Sequence, residues 1–268
     1  MLKLDSSAAW ASAAAMVAAN REMLLAIAGV FFLLPSLAAV IFVPAPVFDA
    51  GMSEQQMLAA LQGYYTSALP VLIALSLVSM GGMLTMLVIL LDTTRPTVGQ
   101  AIWRGFRAAP SYVGAQLVIA LAVLPFAMIL VAALAQGIAE RFAAAVVFAA
   151  SLYPVMRTML IGPVLAKMKE QSPISAIRAS FRLTRGNAGR LLAFVGLAAF
   201  VFLTVYGLIM MFVGVVLALA VTGEPQRLIG EAIGGVLQAI GYTYFVAILA
   251  AVYGQLSSHE RDVVSAFD

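Results

Sequence analysis

Cysteine is absent from the 268 residues, and histidine occurs once, at His259. Disulfides, thiolate metal sites and cysteine nucleophiles are thereby excluded, and no histidine pair is left for a zinc site. Charge is scarce too: Asp, Glu, Lys and Arg make up 10% of the chain, against about 25% in an ordinary soluble domain. With 63% hydrophobic residues, too little polar surface remains to cover a water-soluble globule of this length. Also missing are an HExxH zinc pair, a GxSxG elbow, a phosphate-binding loop ending in Gly-Lys-Ser/Thr, and paired aspartates inside an apolar run. The chain is therefore expected to be no enzyme and to carry no cofactor or metal.

What the sequence does have is six apolar runs, at 23–42, 67–91, 112–135, 143–166, 191–219 and 233–254. Each reaches the roughly 20 residues that a helix needs to cross about 30 Å of hydrocarbon. Lipid holds no water to satisfy open backbone groups, so these runs must be helical, and the alternating strands of a barrel do not occur. The expected fold class is all-α: a polytopic membrane protein of six transmembrane helices, forming a single membrane domain over 1–268. Lys3, Asp5 and the stretch ending in Asn20, Arg21 and Glu22 make a poor secretory signal, so the first run is expected to be retained as a span.

Of the fifteen Lys and Arg residues, twelve lie in the four segments on one side of the spans, and two, Arg141 and Arg227, lie on the other. The fifteenth, Arg157, lies inside the fourth span. Basic residues gather on the cytoplasmic side. Both termini are thus expected in the cytoplasm, in a multi-pass protein of the bacterial inner membrane. The net charge of +3 then belongs to a basic membrane face, with no nucleic-acid partner implied.

Two cytoplasmic connections resemble each other. Ala101-Ile-Trp-Arg-Gly-Phe-Arg107 matches Ala176-Ile-Arg-Ala-Ser-Phe-Arg182 at four of seven positions with an offset of 75, and each copy follows a proline, Pro96 or Pro173. The first span echoes the fifth: Asn20, Leu24, Leu25, Ala26 and Gly29 return as Asn187, Leu191, Leu192, Ala193 and Gly196. These matches predict three units, 5–91, 96–166 and 173–254, each an interfacial helix followed by a transmembrane hairpin, arranged about a pseudo-threefold axis along the membrane normal.

In the third unit Ile174, Ile177 and Phe181 form an apolar row beside Arg178, Arg182 and Arg185, with Ser172 placed as N-cap before Pro173. In the second, Val98, Ile102 and Phe106 lie beside Arg104 and Arg107, and Trp103 suits a membrane interface. Such helices can rest with one edge among acyl chains and a guanidinium row among phosphates. The first unit has Trp10, Met16 and Val17 but little charge.

The run from Tyr153 through Arg157 and Pro163 into Gln171-Ser-Pro-Ile-Ser-Ala-Ile-Arg-Ala-Ser-Phe-Arg-Leu-Thr-Arg-Gly-Asn187, together with Ala250-Ala-Val-Tyr-Gly-Gln-Leu256, resembles bacterial proteins of the glycerophosphoryl diester phosphodiesterase membrane domain family. Fused members of that family carry a separate hydrolytic barrel that uses histidine, carboxylates and a divalent metal. The resemblance here implies only the six-span membrane domain, standing alone.

Arg157 with Tyr153 is the sharpest candidate site. A guanidinium inside a span must find carbonyls, a carboxylate, water or a lipid phosphate, and Pro154 frees a backbone carbonyl nearby. It is either a clamp between helices or a ligand for a headgroup or substrate. Lys167, Lys169, Arg178, Arg182, Arg185 and Arg190 form the strongest basic cluster and, with Trp103, Arg104 and Arg107, are the expected contacts for anionic membrane phospholipids. Gly230, Gly234 and Gly241 form a small-residue stripe that suits helix packing or a homo-oligomer face. The leading expectation is a non-enzymatic protein that engages headgroups at the cytoplasmic face in membrane homeostasis or scaffolding. The alternative is a small permease or lipid-moving protein with a polar cavity around Arg157, Tyr153 and Tyr242 or Tyr244.

The native chain has no cysteine to interfere, so single-cysteine labelling tests the topology directly. In spheroplasts, probes at Ser53 and Thr222 should react from outside, and probes at Ser175 and Ser257 only after the membrane is opened. Outside labelling at Ser175 would invert the topology.

Overall fold

Among the described residues (3–43, 48, 51–134, 137–168 and 172–265), the computed structural model is helical with no strand. Helix α1 (Ser6–Ala19) starts where the Asp5 carboxylate accepts the Ala8 N–H at 3.0 Å, which satisfies one of the open donors of its first turn. It ends at Asn20, whose amide donates to the Met16 carbonyl at 2.9 Å.

The first span follows as α2 (Arg21–Ala28), a wide π-turn (Gly29–Leu33) and α3 (Leu34–Phe42). The π-turn has a local cause. Pro35 has no N–H to offer Phe31 and its ring crowds that carbonyl, so the ladder slips by one residue and the Leu34 N–H reaches back to Gly29. Helix α4 (Glu54–Leu91) opens on a capping box between Ser53 and Gln56, and α5 (Val98–Leu134) on reciprocal bonds between Thr97 and Gln100 at 3.1 and 3.3 Å.

The fourth span divides into α6 (Ile138–Thr158) and α7 (Ile161–Lys167), because Pro163 cannot donate to Met159 and the chain turns at 159–160. Helix α8 (Pro173–Leu183) precedes α9 (Ala188–Ala220), and a tight turn with Gly223 at φ +80° leads into α10 (Glu224–Ser265). Among the described residues six helical spans are long and apolar enough to cross a membrane, which makes the chain a multi-pass membrane protein by length and composition.

One expectation is sharpened by these elements. Residues 98–109 are helical but run without a break through Pro110 into the third span, where the sequence alone suggested a separate helix. The fifth span is one unbroken helix: at 33 residues, α9 is about 50 Å long and must tilt or project.

Burial is concentrated at one end of the bundle. Residues 246–252 of α10 are buried on every face, as is expected of a central helix. Around them pack α1, the α2 segment, residues 81–91 of α4 and residues 160–165 of α7. Toward the other end burial falls, and Leu203, Leu208, Met211, Phe212 and Leu219 of α9 are exposed, as lipid-facing side chains would be.

The closest crossing joins α4 to α5. A Cβ on Gly105 would lie 2.5 Å from Thr85 Oγ1 and 2.6 and 2.9 Å from the Thr85 backbone N and Cα. Thr85 is fully buried and turns its hydroxyl back to the Gly81 carbonyl at 2.8 Å. The Phe106 ring covers Gly81, and Phe31 covers Gly82. Gly81-Gly82 thus lets two aromatic side chains lie directly against the α4 backbone. The stripe of Gly234 and Gly241 is likewise filled from within the chain, by Tyr206 and Phe202 of α9.

Because the clash at Gly105 is with backbone, Gly105→Ala should cost about 1–3 kcal/mol through overpacking and lower Tm in detergent. Gly99, with open space around it, is the control. Gly99→Ala should leave Tm unchanged or raise it slightly, since alanine restricts the unfolded chain.

Candidate functional site

Helix α6 ends one residue beyond Arg157, and α8 ends beside it. At each terminus the last carbonyls have no partner in their own helix. The two ends meet these needs for each other. Ser180 of α8 donates its hydroxyl to the Arg157 carbonyl at 2.7 Å. In return Arg157 Nη2 donates to the Phe181 carbonyl, which the Arg185 N–H has left in favour of Arg182.

The guanidinium is further held by Nε, which donates to Thr184 Oγ1 at 3.0 Å, and by Nη1, which donates to the Tyr153 hydroxyl. Its carbon lies 4.8 Å from the centre of the Phe181 ring and 5.4 Å from that of Tyr153. Among the described residues no carboxylate pairs with it. The compensating negative charge comes from two helix C-termini, α6 and α8, which converge on the same cation.

The turn that follows is built for this contact. Thr184 is fully buried, Gly186 takes φ +77°, a conformation costly for any residue with a Cβ, and Asn187 accepts the Leu4 N–H on its side-chain oxygen at 2.9 Å. Thus Thr-Arg-Gly-Asn ties together the α6–α7 break, the start of α9 and the N-terminal segment.

The sequence-predicted site residues divide into two groups. Arg157 and Tyr153 are brought together, but Arg157 sits in the last turn of α6 and not inside an unbroken span. The carbonyl it uses is Phe181 of another helix, not one freed by Pro154. Tyr242 and Tyr244 lie elsewhere, stacked on Phe32 and Trp10 with ring centres 5.3 and 6.0 Å apart.

Lys167, Arg178, Arg182, Arg185 and Arg190 are exposed along α7, α8 and the turn into α9. Lys169 lies outside the described residues. Arg107 lies over the exposed Trp103 ring at 5.1 Å. Arg104 pairs with Asp92. That carboxylate is held below its ordinary pKa first by the Thr94 backbone N–H, then by the Thr94 hydroxyl and Arg104, against the opposing effect of partial burial. Ser172 occupies the N-cap position of α8 with extended backbone, but its side chain makes no capping bond.

Ser180 is the functional neighbour that sequence reasoning missed. The available signal was its spacing of four from Ala176, which puts two small residues on one buried helix edge. Among the described residues, no group of three or more acidic or histidine side chains could hold a metal. Comparison with known proteins finds no matching family model, curated protein or solved structure.

Arg157→Ala strips α8 of its cap and leaves the Phe181 carbonyl open in a partly buried site. The loss should be about 1–3 kcal/mol, read as a lower Tm in detergent. Ser180→Ala should cost less, and the double variant should fall short of the sum, because both residues belong to one junction.

Proposed function

We propose that this chain is a bacterial inner-membrane protein with both termini cytoplasmic. It engages anionic phospholipid headgroups at that face without catalysing a reaction, in the service of membrane homeostasis or scaffolding. The observation that carries this reading is the surface of α8. Arg178, Arg182 and Arg185 are exposed beside Ile174, which is 55% exposed, on a helix whose C-terminus is locked to the bundle by Arg157. A helix fixed in this way offers its guanidinium row to phosphates with little ordering cost. Trp103 with Arg107 on α5 presents the same pairing of an interfacial ring and a cation.

The threefold architecture belongs to this proposal. Three pairs of small residues at spacing four, Ala9 and Ala13, Ala101 and Gly105, Ala176 and Ser180, are each buried, and they stand at the offsets of the sequence repeat. The helix bearing each pair packs on the second span of the unit before it: α5 on α4, α8 on α7 and α6, and α1 on α10, which closes the ring. Asn20 and Asn187, equivalent in this alignment, share a backbone conformation, with φ −122° and −116° and ψ 18° and 0°. The resemblance to the phosphodiesterase membrane domain fits the same picture, because five of the residues that carry it, Tyr153, Arg157, Thr184, Gly186 and Asn187, build the α6–α8 junction and the turn after it.

Phosphatidylglycerol or cardiolipin, added to the purified protein, should raise Tm by binding the folded state. Arg182→Ala and Arg185→Ala should shrink that increment. Arg157→Ala should lower the lipid-free Tm and keep the increment. An increment indifferent to Arg182 and Arg185 would overturn the reading, and one lost only with Arg157 would instead favour a ligand site at the junction.

A further inference from the structure

At the end of the bundle away from α8, the far parts of α9 and α10 enclose a cleft of about 420 Å³. Its position is set by helix rise. Tyr206 lies about 27 Å along α9 from Ala188 and Leu217 about 44 Å, so the cleft straddles the far edge of a hydrocarbon layer roughly 30 Å thick. The wall is apolar on the α9 side, where Met210 and Leu217 line it, and polar on the α10 side, where Arg227 and Glu231 stand one helical turn apart. Gly230 between them brings no side chain to fill the space, and the nearest atom to a Cβ there would be Leu217 Cδ1 at 3.8 Å.

The polar groups are under-used. Arg227 makes one long, exposed contact, Nη2 to Glu224 at 3.3 Å, which leaves the remaining guanidinium donors to the cleft. The Glu231 carboxylate has no hydrogen-bond or ion-pair partner among the described residues, and neither has the Tyr206 hydroxyl at the floor. A cation and an anion one turn apart on one wall, facing an apolar wall at the membrane boundary, match a ligand whose phosphate joins an amine on one side to an acyl-bearing glycerol on the other.

We propose that this cleft binds the phosphoethanolamine headgroup of a phospholipid in the far leaflet. Arg227 donates to the phosphate, Glu231 accepts from the primary ammonium, and one acyl chain lies along Met210 and Leu217. The site differs from the cytoplasmic surface in leaflet, in residues and in the lipid it selects: it requires N–H donors on the headgroup, which phosphatidylcholine lacks and phosphatidylglycerol replaces with hydroxyls.

The test is lipid-dependent melting and native mass spectrometry of the full chain in detergent, titrated with dioleoyl phosphatidylethanolamine, phosphatidylcholine and phosphatidylglycerol. Phosphatidylethanolamine should bind about tenfold more tightly than phosphatidylcholine, the ratio that one charge-assisted hydrogen bond supports. Glu231→Gln should abolish that preference, Arg227→Gln should weaken both lipids, and Gly230→Leu should fill the cleft and remove binding. Arg182→Ala with Arg185→Ala should leave the preference untouched, which separates this site from the cytoplasmic one. If Arg227→Gln does not fold, Gly230→Leu and Glu231→Gln still decide the matter. Equal affinity for the two lipids, a preference that survives Glu231→Gln, or equal binding of soluble glycerophosphoethanolamine would overturn the proposal.

Discussion

The architecture turns on one constraint: a helix that stops in an apolar setting must hand its last carbonyls to some other donor. Pro163 forces the fourth span to stop after Thr158, and α8 must stop before the chain can turn into α9. Setting the two ends against each other lets Ser180 serve one and Arg157 the other. It also explains how a guanidinium persists there with no carboxylate partner among the described residues, since two helix C-termini supply the negative potential. The position of α8, and with it the placement of the exposed arginines, follows from that exchange.

Lipid acts as a solvent unevenly along this molecule. At the end bearing α1 and α8, close packing is achieved with small residues, and Gly81, Gly82 and Gly105 let helix backbones and aromatic rings approach within distances that any side chain would prevent. At the other end long apolar side chains face outward. Apolar helices gain nothing from leaving lipid for each other except packing and hydrogen bonds. They associate closely where small residues permit it.

Much of this was legible in the chain. The six spans and the side with most basic residues could be read directly, because bilayer thickness and charge sidedness are one-dimensional constraints. Arg157 stood out because cations are rare in apolar runs. What could not be read depended on partners distant in sequence. Ser180 looks like a neutral helix residue until its oxygen is seen on Arg157, 23 positions away. Arg104 gives no sign in the sequence of its pairing with Asp92, 12 positions away. The π-turn before Pro35 and the unbroken passage of α5 through Pro110 show the remaining difficulty: proline frees a carbonyl in both cases, and only the surrounding packing decides whether the ladder slips or continues.

The buried centre of α10 bears on how such a protein is made. The segment 246–252, around which α1, α2, α4 and α7 gather, leaves the ribosome after every one of those elements. The α1 edge bearing Ala9 and Ala13, which packs on α10, therefore stays unmatched until that helix arrives, while the α4–α5 and α7–α8 contacts join elements already made. Completion is a late, cooperative step in which one incoming helix docks against several waiting neighbours, so insertion and folding of this chain are separated in time by its own connectivity.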